Sequence, residues 1–129
     1  MKTILVDAWN TFVKKDGVDK KIKILLDQYQ NKKIIVTNAN DEEKIKFGII
    51  NMPYPVFSLS HSPEKTDILY FQKLLSHYSL NSSDVIYIEH NKAAVITAQS
   101  IGIKSLWFRI DEDIRVLKLF LENYHNYGL

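Results

Sequence analysis

Cysteine is absent from this chain, which excludes disulfides and thiolate metal sites and fits a reducing compartment. Proline occurs three times and glycine four times, too few to build a flexible linker. The 129 residues are therefore read as one domain, 1–129, long enough to bury about two-thirds of the surface of the unfolded chain. A large excess of charge of one sign is also missing. The net charge of +2 is too weak to draw the chain to nucleic acid or to an anionic membrane. No apolar run reaches the roughly 18 residues that span a bilayer. Met1-Lys2-Thr3-Ile4 runs into a strand pattern and turns acidic too soon for a signal peptide. The expected setting is the cytoplasm, with no membrane or nucleic-acid partner. There is no glycine-rich phosphate loop and no dinucleotide fingerprint, and the four histidines lack metal-ligand spacing.

What is present is an alternation of short apolar runs with longer amphipathic stretches. Thr3–Val6, Ile34–Val36, Val56–Leu59, Val85–Ile88 and Lys104–Phe108 read as strands. Between them, helices are expected over about 19–30, with Ile22, Leu25, Leu26 and Tyr29 on one face, and over about 41–47. A third is expected after Ser62 as N-cap and Pro63 as first helical residue, with Ile68, Leu69, Phe71, Leu74, Leu75 and Tyr78 as its apolar stripe. Further helices are expected over about 92–100, stopping near Gly102, and from Asp111 to about Tyr124. The aromatic tail "FLENYHNYGL" reads as cover for a sheet edge, with a dimer contact as the alternative.

Such alternation predicts an α/β three-layer sandwich around a five-stranded parallel, Rossmann-like sheet. Ligands of such sheets bind at the carboxyl ends of the strands. The residues there are Asp7 after the first strand, Thr37 and Asn38 after the second, and Glu89, His90 and Asn91 after the fourth, with Lys65 at the start of the helix after the third. Each has an ordinary alternative as a turn or surface residue. Their shared place, one polar group per strand end, points to a site.

These stretches resemble the four motifs of the haloacid dehalogenase-like (HAD) superfamily across nearly the whole chain. "VDAWNTF" resembles the first, Asp-x-Asp-x-Thr, with Asp7 at the nucleophile and Thr11 at the closing threonine. "IIVTNAN" is similar to the second, with Thr37 closing a hydrophobic strand. "KTDILYFQKLL" resembles the third, with Lys65 as its lysine and Phe71 as its phenylalanine, without the prolines. "VIYIEHNKAAVITAQSIGIKSLWF" resembles the fourth and the segment after it, with Glu89 on the first acid. The resemblance implies aspartyl-phosphate chemistry at Asp7, with Thr37 and Lys65 as catalytic partners. It also implies substrate contacts from Thr37, Asn38, Lys65, His90 and Asn91, and weak Mg²⁺ binding by Asp7, the Trp9 carbonyl and Glu89. A phosphorylated small molecule or macromolecule is the implied partner. No segment is long enough for a cap domain, so the site is expected to be open.

The pattern is also broken. Trp9 stands where phosphatases of the superfamily carry the aspartate that protonates the leaving group and activates water. Its indole can do neither. His90 stands where a second acid often lies. The expectation is thus a hydrolase with an impaired site. The alternatives are a non-catalytic phospho-ligand or protein-binding module on the same scaffold, and metal-free dehalogenation, which "DAWNT" with Asn38 and Asn91 resembles. The dehalogenases use an arginine after the nucleophile, and none occurs here before Arg109.

Overall fold

The computed structural model describes residues 1–127. Its main sheet has five strands, β1 (Thr3–Asp7), β4 (Lys33–Thr37), β5 (Val56–Ser58), β6 (Val85–Glu89) and β7 (Lys104–Trp107). They lie in the order β5-β4-β1-β6-β7, and every pairing is parallel. Two short strands, β2 (Val13–Lys14) and β3 (Gly17–Val18), form a separate antiparallel hairpin after β1. The sequence reading missed this hairpin, because two-residue strands are too short for periodicity to register. Gly17, at φ +106°, supplies the backbone shape that its tight turn requires.

Alternation along the strands divides the core between the two faces of the sheet. Ile4, Val6, Ile35, Ile86 and Ile88 pack on one side with Ile22, Leu25 and Leu26 of α1 (Lys20–Asp27) and Leu117, Phe120 and Leu121 of α5 (Ile114–Tyr124). Leu5, Ile34, Val36 and Tyr87 pack on the other with Tyr70, Phe71, Leu74 and Leu75 of α3 (Ile68–His77) and Ala98 of α4 (Lys92–Ser100). The short α2 (Asp41–Lys46) opens with a capping box between Asn40 and Glu43. The tail reading falls in two parts. Phe120 and Leu121 bury against the sheet, and α5 packs on β7 and α1, whereas Gly128 and Leu129 lie outside the described residues.

Two helix starts differ from expectation. The helix expected at Ser62-Pro63 begins at Ile68 instead, because Asp67 caps it through the Leu69 N–H at 2.9 Å. Lys65 is therefore a loop residue, not the first turn of a helix. The buried face also differs from the expected stripe. Tyr70 is fully buried, while Ile68 and Leu69 are 43% and 42% exposed. Likewise α5 starts at Ile114 rather than at Asp111, with the neighbouring Asp113 as its cap. Among the described residues no cap domain is inserted, and no helix is long and apolar enough to cross a membrane.

Candidate functional site

The carboxyl end of β1 is shaped by a tight turn. After Asp7 the chain folds back, so that the Phe12 N–H reaches the Asp7 carbonyl at 3.0 Å and the Val13 N–H reaches that of Ala8 at 2.8 Å. Asn10 takes the left-handed conformation, φ 70°, which asparagine tolerates better than most residues. This turn returns Thr11 to the strand end, where its hydroxyl donates to Asp7 Oδ2 at 2.7 Å.

Lys65 reaches the same carboxylate from the loop before α3. Its Nζ lies 2.5 Å from Asp7 Oδ1 and 2.6 Å from Glu89 Oε1, and all three residues are buried. Asn38 sets that loop by accepting the Lys65 backbone N–H on Oδ1 at 2.8 Å. Glu89, at the end of β6, is held by the Tyr87 hydroxyl on Oε1 and by the Asn91 N–H on Oε2 at 3.0 Å. Asn91 also caps α4 by accepting the Ala93 N–H at 3.0 Å. His90 then places Nδ1 2.5 Å from Asp7 Oδ2 and 3.2 Å from Glu89 Oε2, between the two carboxylates.

Thr37 closes β4, and its hydroxyl accepts the Ala39 N–H at 3.1 Å. Its backbone is clamped by Tyr70, whose hydroxyl accepts the Thr37 N–H at 3.1 Å and donates to the Thr37 carbonyl at 2.8 Å. Asp7, Trp9, Thr37, Asn38, Lys65, Glu89, His90 and Asn91 all line one open cleft of about 160 Å³. Of the other residues matched to motifs, Thr11 reaches Asp7 without lining the cleft, and Phe71 lies in the core. Sequence reasoning did not include Tyr87 or Tyr70 in the site. Tyr87 was findable, since two residues before Glu89 on a strand means the same face. Tyr70 carried no such signal. The cleft also takes in Glu43, Phe47, Ile49 and His61, which only the folded chain brings there.

Four titratable groups share the floor of this cleft. Burial raises the Asp7 carboxyl above its usual value, Lys65 pulls it down, and the Glu89 charge pushes it up again. Burial disfavours ionised Glu89 too, but Lys65, and then His90 and Asp7, outweigh it and hold its carboxyl well below the ordinary range. Burial opposes a charged Lys65 ammonium, yet Asp7 and Glu89 raise its pKa on balance. The same contest pushes His90 up to about 9, with burial opposed by its hydrogen bonds to Asp7 and Glu89. At neutral pH the arrangement therefore sets an ionised Glu89 against the Lys65 ammonium and the His90 imidazolium, with the Asp7 carboxyl between them.

This has a measurable consequence for stability. The folded pKa of His90 lies above its ordinary 6.5, so its contribution is complete below pH 6.5 and is lost as pH rises through about 9. Glu89 acts in the opposite direction, since its depressed pKa gives stability above pH 4.5 that is lost on acidification. Urea midpoints recorded between pH 6 and 9.5 should fall for the wild type. His90→Asn should flatten that decline; equal slopes in the two proteins would show that His90 is uncharged in the native state.

Magnesium is the metal that the resemblance of the sequence motifs implies. The donor chemistry fits it, because Asp7 and Glu89 offer hard carboxylate oxygens and, together with His90, place ligand atoms within 4.8 Å of one another. Yet Lys65 and His90 already contact both carboxylates, so a cation entering there competes with them. That favours weak binding.

No protein-family model and no curated protein matches the chain. Solved structures do. A HAD family enzyme from Bacteroides thetaiotaomicron, an aspartate-to-alanine mutant in complex with magnesium and inorganic phosphate, superposes with a TM-score of 0.72 at 12% identity, over 91% of this chain and 98% of that one. An uncharacterized protein from Corynebacterium glutamicum gives 0.64 at 14%, over 100% and 98%. The core domain of a putative phosphoglycolate phosphatase from Streptococcus pneumoniae gives 0.57 at 17%, over 92% and 94%. At such low identity these likenesses speak for the fold alone. Together with the strand order and the motifs at the strand ends, they identify the architecture: the chain has the haloacid dehalogenase-like core fold.

Proposed function

We propose that the protein is a HAD-like hydrolase that acts on phosphoryl groups through Asp7. The observation that carries this reading is the convergence of Lys65, Thr11 and His90 on the Asp7 carboxylate at the end of the central strand. Asp7 Oδ2 or Oδ1 attacks phosphorus and forms an aspartyl-phosphate, which divides one hard displacement into two easier ones. Lys65 orients Asp7 and offers positive charge to the equatorial phosphoryl oxygens, while Thr37 and Asn38 border the space those oxygens enter. His90 holds the second oxygen of the nucleophile. Mg²⁺, held by Asp7, Glu89 and the Trp9 carbonyl, supplies further charge neutralisation when bound.

The second step is the weak one. Trp9 cannot activate water, so the aspartyl-phosphate outlives its formation. Incubation with acetyl phosphate and Mg²⁺ followed by intact-mass spectrometry should show one added phosphoryl group, and Asp7→Asn should show none. No adduct on the wild type would favour the second reading, a phospho-ligand binding module. The saturation of Asp7 by three donors is the observation behind that alternative.

Metal binding is testable on its own. Calorimetric titration with Mg²⁺ should give weak binding to the wild type, and Asp7→Asn and Glu89→Gln should both reduce it. The same isotherm for all three proteins would remove these carboxylates from the metal site.

A further inference from the structure

The wall of the cleft suggests which phosphate esters can react there. Trp9 stacks on Phe47 with ring centroids 4.7 Å apart and planes tilted by 34°. Trp9, Phe47 and Ile49 line the same cleft as Asp7, so the reacting group sits beside an aromatic and aliphatic surface. One carboxylate borders that wall, Glu43. It is already engaged as an acceptor, from the Asn40 N–H at 3.1 Å and with His61 Nε2 at 2.6 Å. Those bonds keep it ionised, so it has no proton to give. Lys65 and His90 both contact the attacking carboxylate itself. In an in-line displacement the leaving oxygen departs on the opposite side of phosphorus. His61 lies on the same wall, but both of its ring nitrogens already face carboxylates, Glu43 at 2.6 Å and Glu64 at 2.9 Å, so the rest of the wall is the apolar surface of Trp9, Phe47 and Ile49 with no uncommitted proton donor.

We infer that the site is built for phosphate esters of aromatic hydroxyls. This rests on the reading of Asp7 as nucleophile and names the substrate class for it. A phenol has a pKa of about 10, far below that of an alkanol, and can leave as its anion. In the step, an Asp7 carboxylate oxygen forms a bond to phosphorus and the bond from phosphorus to the aryl oxygen breaks. The electron pair goes to the aryloxide, which takes its proton from solvent. No protein acid is needed. The departing ring lies against Trp9 and Phe47, where offset or tilted stacking supplies affinity that an alkyl ester cannot obtain.

The experiment compares Asp7 labelling, followed by intact mass, with para-nitrophenyl phosphate, acetyl phosphate and glycerol phosphate. It uses the wild type, Phe47→Ala and Phe47→Leu, the last keeping apolar bulk without the ring. Acetyl phosphate has a good leaving group and no ring, so it separates leaving ability from recognition. The wild type should half-saturate at lower para-nitrophenyl phosphate than acetyl phosphate. Both variants should reduce that preference by roughly three- to tenfold, the value of one aromatic contact. Glycerol phosphate should give no adduct. An unchanged preference in both variants, or labelling by glycerol phosphate as fast as by the aryl ester, would overturn the inference while leaving Asp7 a nucleophile. No adduct from any donor would overturn both.

Discussion

Lys65→Met should lower the stability of the protein by about 3–5 kcal/mol, the usual cost of removing one partner from a buried ion pair. Lys65 sits between Asp7 and Glu89, with side-chain exposures of 7%, 4% and 0%, so solvent can do little to replace the lost ammonium. Methionine fills a similar space but leaves two carboxylates facing each other with only His90 for compensation. The loss should be reversible by a second change. Glu89→Gln in the Lys65→Met background removes one of the two stranded charges and keeps the shape, so much of the stability should return. Each substitution is destabilising alone, and the pair should cost less than their sum by more than 1 kcal/mol, a strong coupling of neighbours. Urea unfolding of the four proteins measures this. Strict additivity would mean that Lys65 is free of Glu89 in solution.

The same residue marks the boundary of what the sequence can disclose. Strand ends are legible because apolar runs of alternating face stop where a polar residue turns the chain. Asp7, Thr37 and Glu89 each close a strand in this way, and the parallel order of the sheet then brings their ends together. The position of Lys65 is not legible so directly. Ser62-Pro63 and Asp67 are both respectable helix starts by local chemistry. The contest is decided by Asn38, whose side chain binds the Lys65 backbone from 27 residues away and keeps it in the loop. A local reading cannot weigh that bond. In the same helix Tyr70 takes the core place that the apolar pattern assigns to Ile68 and Leu69, because its hydroxyl finds buried partners in the Thr37 backbone. His90 was legible as a residue near the site. Its seat between two carboxylates depends on the side-chain direction after β6, which spacing does not specify. The aromatic wall was half visible. Trp9 announced itself as a missing acid, while Phe47 follows α2 and meets it only through the fold.

Trp9→Asp should increase turnover of ordinary phosphomonoesters by about 10²- to 10⁴-fold, the usual contribution of a positioned general acid or base. The reason is chemical and local. The wild-type cleft has groups that hold the nucleophile, but its wall around Trp9 offers indole, Phe47 and Ile49, with Glu43 and His61 already bonded to each other. A carboxyl group two residues beyond Asp7 would protonate an alkoxide on the way out and take a proton from water on the way back. Both the first displacement and the breakdown of the aspartyl-phosphate should speed up. Glycerol phosphate, expected to give no adduct with the wild type, should become a substrate, and the acetyl phosphate adduct at Asp7 should become shorter-lived. The substitution also removes the ring that stacks on Phe47, and that pair alone is worth about 0.5–1.5 kcal/mol beyond its buried area. Trp9→Asn provides the control, because it opens the same space without a titratable proton. Phosphate release and the decay of the adduct are measured for all three proteins. A gain in Trp9→Asp alone would assign the wild-type deficit to the missing acid. An equal gain in Trp9→Asn would mean that indole merely blocks access. If neither variant gains while the adduct still forms, the deficit lies instead in the way His90 and Lys65 hold the Asp7 carboxylate.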